Sequence, residues 1–488
     1  MKTRHWEVPA AVAVLAAVPF AGVLNHALVT WDDPFTIETN PLNSLPLAQF
    51  LKQSFTSAYM TAWQPLGWCY YRLLHSSFGA APLPYLLSSL ILHAANAALL
   101  YLILLELRGS KKEAVLGCAV ASLLWAWHPI QSESVAWASA LSDLMAAFFV
   151  LLGFLLRERG RAGSGALSFL LASLCRWKSL AYPIFVYVRD SAKGRPKAAP
   201  ENKLEYPFLL VVSVGALLGN ALGKSSAGLA ASFRPHEISA GLLWQLSKLP
   251  LPLNLAPGAF FDGNNNPWSI PTLPCAVAIT ALLGVVLYFR RTHRDAVLCF
   301  GAFFLASLPP LLASSKGPIF LYDHHLYLAS TALVVPFAFI SSTRRWPLIA
   351  VAVLFAGLSA LQTRYWSGSE ALWTRVNAVH PRSQSGHLNL GAFLGSQGRY
   401  PEALLAADEQ LALYPGDPLA LELRSKIYAQ AGSTKSDRAH LESDAAVFLF
   451  EKGDAEGALA RLEKALLLSP GDPQIEANIK IAKARLGR

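Results

Sequence analysis

Long apolar segments separated by short polar ones make up most of the chain. A run of about 20 apolar residues can cross a bilayer as a helix, and a shorter run can do so when other helices surround it. The pattern predicts eleven spans, at residues 8–28, 83–107, 113–127, 136–156, 165–176, 178–189, 206–223, 272–289, 296–314, 326–342 and 346–362. Two amphipathic stretches, 46–60 and 63–74, are predicted to lie on the membrane surface as interfacial helices.

The basic residues indicate which way the spans run. Cytoplasmic loops of membrane proteins carry an excess of Lys and Arg. With a cytoplasmic amino terminus, the strongly basic short loops all face the cytoplasm, namely residues 108–112, 157–161, 189–197, 290–294 and 344–345. We therefore expect a multi-pass protein of the cell (inner) membrane. The predicted exoplasmic or periplasmic side receives residues 29–82, 128–135, 176–178, 224–271, 315–325 and everything after 362.

Composition supports a membrane protein and argues against a nucleic-acid partner. Of the 488 residues, 53% are hydrophobic and 15% are charged, which is a small charged fraction for a soluble domain. The net charge of +10 is concentrated in the short loops assigned to the cytoplasm, so no polyanion is needed to explain it.

The pattern changes to soluble, amphipathic helices after Arg364. Residues 384–417 and 439–472 share one spacing of small and apolar positions, and each repeat ends at a Pro-Gly-Asp-Pro sequence. A helix-turn-helix unit of about 34 residues with small residues at the helix crossings is typical of tetratricopeptide (TPR) repeats. The stretch 418–438 is interpreted as an irregular, degenerate repeat, and 473–486 as a capping helix.

The predicted fold is therefore all-α, a polytopic membrane helical bundle followed by a carboxyl-terminal TPR α-solenoid. The predicted domains are a membrane domain at residues 1–364, a linker at 365–383 and an exoplasmic TPR domain at 384–488.

Two adjacent carboxylates, Asp32 and Asp33, follow the first predicted span, between Trp31 and Pro34. The low dielectric near lipid headgroups should raise the pKa of at least one of them, which makes it a usable proton acceptor near neutral pH. The alternative is a loop that carries charge only to remain in water.

Other polar groups recur on the same predicted face. His128 and Glu133 flank a short turn, where they are an acid/base or metal pair or else mark a helix start with Ser132 as the N-cap. Arg176 and Lys178 are cations on the side where cations are unusual, which indicates an anion such as a lipid phosphate. Snorkelling of the two long side chains is the alternative.

The adjacent histidines His324 and His325 begin a predicted span. Neighbouring side chains point in different directions, so joint chelation of one metal ion is not expected. A transporter would place ionisable residues near the bilayer midplane. Polar groups gathered at one face instead favour an enzyme that acts at the exoplasmic interface on a lipid-borne anionic substrate.

Several short motifs occur in a definite order: Trp31-Asp32-Asp33 with Asn40-Pro41, Trp63-Gln64-Pro65-Leu66, His93-Ala94-Ala95-Asn96, His128-Pro129 through Glu133 and Trp137 to Asp143-Leu144, Lys178 with Pro183 and Asp190, Lys248-Leu249 with Pro252-Leu253-Asn254-Leu255, Asp323-His324-His325-Leu326-Tyr327-Leu328, and Arg364-Tyr365-Trp366. With the trailing repeats, this order resembles the transmembrane-and-TPR (TMTC-like) branch of the GT-C glycosyltransferases, in a bacterial-type form.

The resemblance implies an inverting enzyme that moves one sugar, with mannose as a candidate, from a polyprenyl phosphate to a protein hydroxyl or an envelope glycan. It implies that Asp32 and Asp33 are catalytic. We favour Asp32 as the general base, with Asp33 orienting it or contacting a divalent metal ion.

The resemblance also implies roles for the remaining polar residues and for the repeats. The donor phosphate would be bound by Lys178, Arg176 and His324 or His325, and the TPR domain would bind the acceptor. His128, Glu133, Asp143 and His93 are further candidate site residues.

Three departures from the family pattern keep a second hypothesis open. Ala140-Leu141-Ser142 stands where bacterial relatives often have Glu-Arg-Lys, Gln64 stands where His is common, and Ala329 stands where Pro is common. The alternative function is a catalytically inactive, GT-C-like membrane scaffold whose TPR domain assembles other proteins.

Overall fold

The computed structural model describes residues 6–60, 62–109, 112–192, 205–225, 235–250, 252–257, 259–260, 298–303, 305–306, 320–340, 345–383, 385–432 and 434–487. The chain divides into two compact units, Met1–Gly368 and Ser369–Arg488. The division lies near the predicted end of the membrane domain at residue 364.

The described part of the first unit is almost entirely helical. Its α-helices are α1 Glu7–Ala17, α2 Leu47–Thr56, α3 Pro65–Phe78, α4 Pro82–Leu107, α5 Ala114–Ala126, α6 Ser132–Ala136, α7 Leu141–Glu158, α8 Ala162–Cys175, α9 Ala181–Ala192, α10 Glu205–Ser225, α11 Pro235–Lys248, α12 Thr331–Val334 and α13 Trp346–Thr363. The short helices between them are the 3-10 helices Val18–Asn25, Pro41–Ser44, Pro129–Gln131, Ala138–Ala140, Trp177–Leu180, Asp323–Leu326, Val335–Phe339 and Arg364–Trp366, and the π-helix Pro34–Glu38. Ala259–Phe260 and Phe320–Leu321 add a two-residue antiparallel β-ladder.

Four helical segments in the described residues are long and apolar enough to cross a membrane: Glu7–Asn25, Pro82–Leu107, Ala138–Glu158 and Trp346–Trp366. A fifth is obtained if Ala114–Ala126 and Pro129–Ala136, which meet at a 53° bend, form one broken span. Membrane association is therefore supported, whereas the count of eleven spans and their orientation stay predictions. The predicted span 272–289 and most of 296–314 lie outside the described residues.

The segment 326–342 does not form the single long helix that its apolar composition predicts. It is divided into the 3-10 turn Asp323–Leu326, the single turn α12 and the 3-10 helix Val335–Phe339. Pro336 is a cause of the second break, because proline has no backbone N–H to donate and its ring clashes with the preceding turn. This broken path brings the Asp-His-His sequence into contact with α6 and α7 instead of continuing as a regular span.

Helix α7 is the centre of the first unit. Its side chains are buried along most of its length, among them Leu144 and Val150. Neighbouring α8 comes so close that a Cβ at Gly153 would lie 2.9 Å from the carbonyl oxygen of Gly165. Small residues permit this approach, which gives van der Waals contact where lipid removes the hydrophobic driving force between helices. The packing fixes the first turn of α7, which carries Asp143.

The second unit contains seven described helices: α14 Ser369–Val379, α15 Gly386–Ser396, α16 Tyr400–Leu413, α17 Pro418–Ala431, α18 Lys435–Glu451, α19 Ala455–Leu468 and α20 Pro473–Arg485. Ala403, Ala407, Ala458 and Ala465, at the predicted crossing positions, are all buried. These helices are consistent with helix-turn-helix repeats, and their assignment as a TPR solenoid stays a prediction.

The two Pro-Gly-Asp-Pro sequences adopt one local structure. Gly416 and Gly471 have φ of 85° and 82°, a left-handed conformation that glycine accepts without strain. The following Asp417 accepts from the N–H of Leu419 at 3.0 Å, and Asp472 caps the next helix in the same way. Each helix then begins on a proline, whose missing N–H would have had no intrahelical partner there.

Two sequence interpretations of the repeat region change in detail. Most of the stretch 418–438, interpreted as irregular, is occupied by the regular helix α17 and the start of α18. The predicted linker 365–383 includes α14, which belongs to the second unit.

Candidate functional site

Asp33 is an anchor that joins the first loop to the start of α7. Its Oδ1 accepts hydrogen bonds from the backbone N–H of Ser139 at 3.0 Å and from the Ser139 hydroxyl at 2.5 Å. Its Oδ2 accepts from the N–H of Val29 at 2.9 Å. Burial raises the pKa of Asp33 to about 6, although the hydrogen bonds from Ser139 and Val29 act in the opposite direction. Both carboxylate oxygens therefore have structural partners.

Asp32 has a different environment from its neighbour. Its side chain is half-buried rather than fully buried. Burial raises the pKa of Asp32, and the positive charge of Arg176 opposes that shift. The charge of Arg176 therefore acts on the Asp32 carboxylate.

His324 lies between two carboxylates that come from α6 and α7. Its Nδ1 is hydrogen bonded to Glu133 Oε1, which also accepts from the His324 backbone N–H at 3.4 Å. Its Nε2 is 4.0 Å from Asp143 Oδ2. All three side chains are buried. The imidazole thus has a carboxylate near each of its two ring nitrogens.

Arg176 closes the same cluster from the end of α8. Its Nη1 donates to Gln64 Oε1 at 2.6 Å, and its Nε lies 3.4 Å from Asp143 Oδ1. Gln64 is buried directly before α3, so the guanidinium connects α3, α7 and α8. The predicted partner Lys178 lies in the 3-10 helix Trp177–Leu180, and its side chain lies outside the described part of the chain.

Aromatic rings cover one side of this cluster. Trp31 stacks on Trp137 with ring centroids 4.7 Å apart and an interplanar angle of 12°. Tyr322 lies 5.3 Å from Trp31 and 5.4 Å from His324, and Trp137 contacts His324 edge to face at 5.3 Å. The residue before Asp32 is thereby packed against Trp137, which lies between helix α6 with Glu133 and helix α7 with Asp143.

Two predicted site residues have other partners. His128 accepts from the N–H of Ile130 at 3.2 Å through Nδ1, and its Nε2 is hydrogen bonded to the Leu249 carbonyl at 2.8 Å. Its hydrogen bond from Ile130 and its N-cap position support the helix-start interpretation, with His128 rather than Ser132 as the cap. The described hydrogen bonds therefore do not pair His128 with Glu133, whose partner is His324.

His93 lies inside the bundle. Its Nδ1 contacts the Tyr327 hydroxyl at 2.9 Å, and its Nε2 contacts the Ala126 carbonyl at 3.2 Å. Asn96, one turn further along α4, also donates to the Tyr327 hydroxyl at 3.1 Å. These hydrogen bonds connect the broken segment 323–339 to α4 and α5. They thereby help to fix the position of His324, which lies in the same segment.

His325 lies on the other side of His324, with ring centroids 4.5 Å apart, and packs against Tyr322. Both histidines and Asp143 line a cavity of about 20 Å³, which is the space that about one water molecule occupies. Burial raises the pKa of the preceding Asp323, and the Lys248 ammonium opposes that shift.

A second cavity, of about 290 Å³, is apolar and lies deeper along the same helix. The small cavity is lined by Asp143, Ala146 and Ala147 of α7, and the larger one by Val150, Leu151 and Phe154 of the following turns. One face of α7 thus carries Asp143 at the small cavity and, two turns later, the apolar side chains that line the larger cavity.

In the described ranges, no group of three or more His, Cys, Asp or Glu side chains has an arrangement suited to a metal ion.

Sequence reasoning named most members of the cluster but not how they pair. Gln64 and Ser139 had no assigned role, although each lies in or next to a recognised motif. The contacts of Gln64 with Arg176 and of Glu133 with His324 join residues 112 and 191 positions apart, a separation over which a single sequence carries no pairing signal.

No protein-family profile matches the chain. Over 158 residues the chain is 30% identical to Protein O-mannosyl-transferase Tmtc1 of Drosophila melanogaster. That match covers 31% of this chain and 18% of the fly protein, so the chain spans a small fraction of the relative's length. The similarity supports a TMTC-like relationship over that part of the chain.

Proposed function

We propose that the protein is a membrane-embedded, inverting glycosyltransferase that takes one sugar from a polyprenyl-phosphate donor. The acceptor is a protein hydroxyl or an envelope glycan on the exoplasmic side, and mannose is the candidate sugar. The observation that carries the proposal is the cluster formed by Arg176, Asp143 and His324, against which Trp31, the neighbour of Asp32, is packed through Trp137. In the proposal, Asp32 as general base and the Arg176 cation face one site.

In the proposed reaction Asp32 is the general base. The acceptor oxygen attacks the anomeric carbon from the face opposite the phosphate, and its proton moves to the Asp32 carboxylate as the new C–O bond forms. The bond between the anomeric carbon and the phosphate oxygen breaks, and its electron pair leaves with polyprenyl phosphate. General-base catalysis of this kind contributes about 10²–10⁴ in rate.

Arg176, together with Lys178 and His324, would stabilise the leaving phosphate. Cations positioned where negative charge develops are a large electrostatic contribution to catalysis. The residues Ala140 to Ser142, which stand where relatives have Glu-Arg-Lys, are buried and carry no cation. Arg176 reaches Asp143 from α8 and would supply the missing positive charge from another helix.

The apolar cavity along α7 is suited to the isoprenoid chain of the donor. The cavity has a volume of about 290 Å³ and follows the small cavity with Asp143 along the same face of α7. In this arrangement the donor phosphate would lie near Asp143 and Arg176, and its isoprenoid chain would extend into the apolar cavity. The second unit would bind the acceptor, because stacked helix pairs form extended surfaces for peptides.

The decisive experiment compares Asp32→Asn with Glu38→Gln, using polyprenyl-phosphate mannose with a labelled sugar as the probe. Asparagine keeps the size of the side chain and removes the basic lone pair. We expect Asp32→Asn to bind the donor and to transfer or hydrolyse it at least about 100-fold more slowly than the parent. Glu38 is an exposed carboxylate of the same loop, so Glu38→Gln should match the parent.

Loss of turnover in Glu38→Gln alone would move the base to Glu38. Parental rates in Asp32→Asn, in Asp33→Asn and in the double variant would refute the glycosyltransferase proposal and favour the inactive scaffold. The observation that favours the scaffold is the buried, cation-free stretch Ala140 to Ser142.

A further inference from the structure

The end of the last membrane helix lies against the loop that carries Asp32. Trp366 ends the 3-10 turn Arg364–Trp366 after α13, and its side chain is 1% exposed. Its ring stacks on Trp31 at 6.4 Å with an interplanar angle of 20°, and on Trp137 at 6.2 Å with an angle of 29°. A residue from the exit of the membrane unit is therefore part of the aromatic cover of the site.

The backbone makes a second connection at the same point. The N–H of Ala27 donates to the carbonyl of Ser367 at 3.1 Å. Residues 26–29, which lead from the first span to the acidic pair, are non-helical. Because the regular hydrogen bonds of a helix do not hold this stretch, its position depends on contacts of this kind and on the packing of Trp31.

The three indoles join the segments that hold the two carboxylates. Trp31 immediately precedes Asp32, and Trp137 lies two residues before Ser139, the partner of Asp33. Trp366 contacts both of these indoles, so it packs against the stacked pair from a third segment of the chain.

We propose that Trp366 is a positioning residue for Asp32, which holds Trp31 against Trp137 and thereby fixes the carboxylate relative to Arg176 and His324. The kinetic part of this inference rests on the proposed transferase function, whereas the structural part does not. A base displaced by about 1 Å loses on the order of 100-fold in rate, so a side chain outside the reacting groups can control turnover.

Trp366 also lies close in the sequence to the start of the second unit. Only Ser367 and Gly368 separate it from the second unit, which begins at Ser369. The polypeptide that leads to the helical repeats thus leaves from the same turn that positions the base.

The structural test uses the full-length protein in detergent, labelled with 5-fluorotryptophan. The ¹⁹F resonances of Trp31 and Trp137 are assigned with Trp31→Phe and Trp137→Phe, and the exposure of each ring is read from its solvent isotope shift between H₂O and D₂O. In Trp366→Ala we expect the shift of Trp31 to increase, and in Trp366→Phe we expect it to stay near the parental value.

Trp125→Ala is the matched control, since Trp125 is also 1% exposed and lies in the first unit, with its ring against His93 and Tyr327. It should leave the Trp31 resonance unchanged. An unchanged isotope shift of Trp31 in Trp366→Ala overturns the inference. If that variant does not fold, Trp366→Leu takes its place with the same expected outcomes.

The kinetic test measures hydrolysis of labelled polyprenyl-phosphate mannose. Trp366→Ala should lower kcat by about 10- to 100-fold with little change in KM for the donor, and Trp366→Phe should restore most of the loss. A change in KM alone would contradict a positioning role. If the parent itself does not turn over the donor, the proposed function fails, and the fluorine measurement alone decides whether Trp366 positions Trp31.

Discussion

Ser139 donates two hydrogen bonds to a single oxygen of Asp33, one from its backbone at 3.0 Å and one from its hydroxyl at 2.5 Å. This relationship separates two carboxylates that are adjacent and chemically identical in the sequence. Asp33 is fully buried and holds two segments together, while Asp32 is half-buried beside Arg176. The two residues should therefore fail in different ways when they are substituted.

Asp33→Ala should destabilise the fold, and Asp32→Ala should not. Without the Asp33 carboxylate, the buried N–H groups of Ser139 and Val29 lose their acceptor, and each such group costs about 1–3 kcal/mol. Thermal unfolding of the detergent-purified variants, followed by circular dichroism, measures the difference.

Ser139→Ala is the intermediate case, because it removes the hydroxyl donor and keeps the backbone donor. Its melting temperature should fall between those of the parent and Asp33→Ala. Equal melting temperatures for Asp32→Ala and Asp33→Ala would mean that the hydrogen bonds of Asp33 contribute no special stability.

The pH dependence of donor turnover should report Asp32. Burial raises its pKa, so the basic form is lost as the pH falls through a value above the ordinary aspartate value of about 3.9. Turnover should therefore decline on the acidic side at a higher pH than an exposed aspartate would produce. Arg176 lowers this pKa, so Arg176→Gln should move the acidic limb to still higher pH.

Arg159→Gln provides the charge-matched control for that measurement. Arg159 forms an ion pair with Glu106 at 2.8 Å. This pair lies at the carboxyl-terminal ends of α4 and α7, whereas Asp143 lies in the first turn of α7. The acidic limb of this variant should coincide with that of the parent. An acidic limb that does not move in Arg176→Gln would contradict the placement of Asp32 beside Arg176.

The sequence was informative about the helices and about the residue types of the site, for a physical reason. Apolar runs and the Pro-Gly-Asp-Pro sequences act locally, so the helix α4 and the start of α17 follow from the residues in them. The pairing of Glu133 with His324 depends instead on how the broken segment 323–339 packs on α6, which is a tertiary outcome. His128 shows the same limit, because it is hydrogen bonded to the Leu249 carbonyl and not to Glu133, which lies five residues away in the sequence.

The second unit should be needed for transfer and not for donor chemistry. A chain that ends at Gly368 keeps the described helices of the first unit, including the carboxylates and cations of the candidate site. We expect it to hydrolyse labelled polyprenyl-phosphate mannose at a rate close to that of the full chain. Incorporation of the label into envelope proteins of the expressing cells should fall at least about tenfold, because the acceptor is no longer held near the base.

Circular dichroism and size-exclusion chromatography would first establish that the shortened protein is folded. Equal incorporation by the short and full-length chains would assign the repeats a scaffolding role in place of acceptor binding.

The predicted topology places the helical repeats outside the cytoplasm. Lys480 is an exposed residue of α20, so Lys480→Cys in a background without the five native cysteines offers a single labelling site. A membrane-impermeant maleimide should label it in intact cells, after permeabilisation of an outer membrane where one is present. A cysteine placed at Lys193, in a loop predicted to be cytoplasmic, is the matched control and should react only after lysis. The reverse pattern would invert the orientation.

The Pro-Gly-Asp-Pro corners have a consequence for how the length of the repeat region can change. Each corner carries its own helix stop in a left-handed glycine and its own helix start in an aspartate cap and a proline, so it depends little on what lies beyond it. A whole unit that is duplicated or deleted between Asp417 and Asp472 would leave the same corner on both sides. The repeat region can therefore be lengthened by duplication, or shortened by deletion, of a whole unit that ends at the same type of corner.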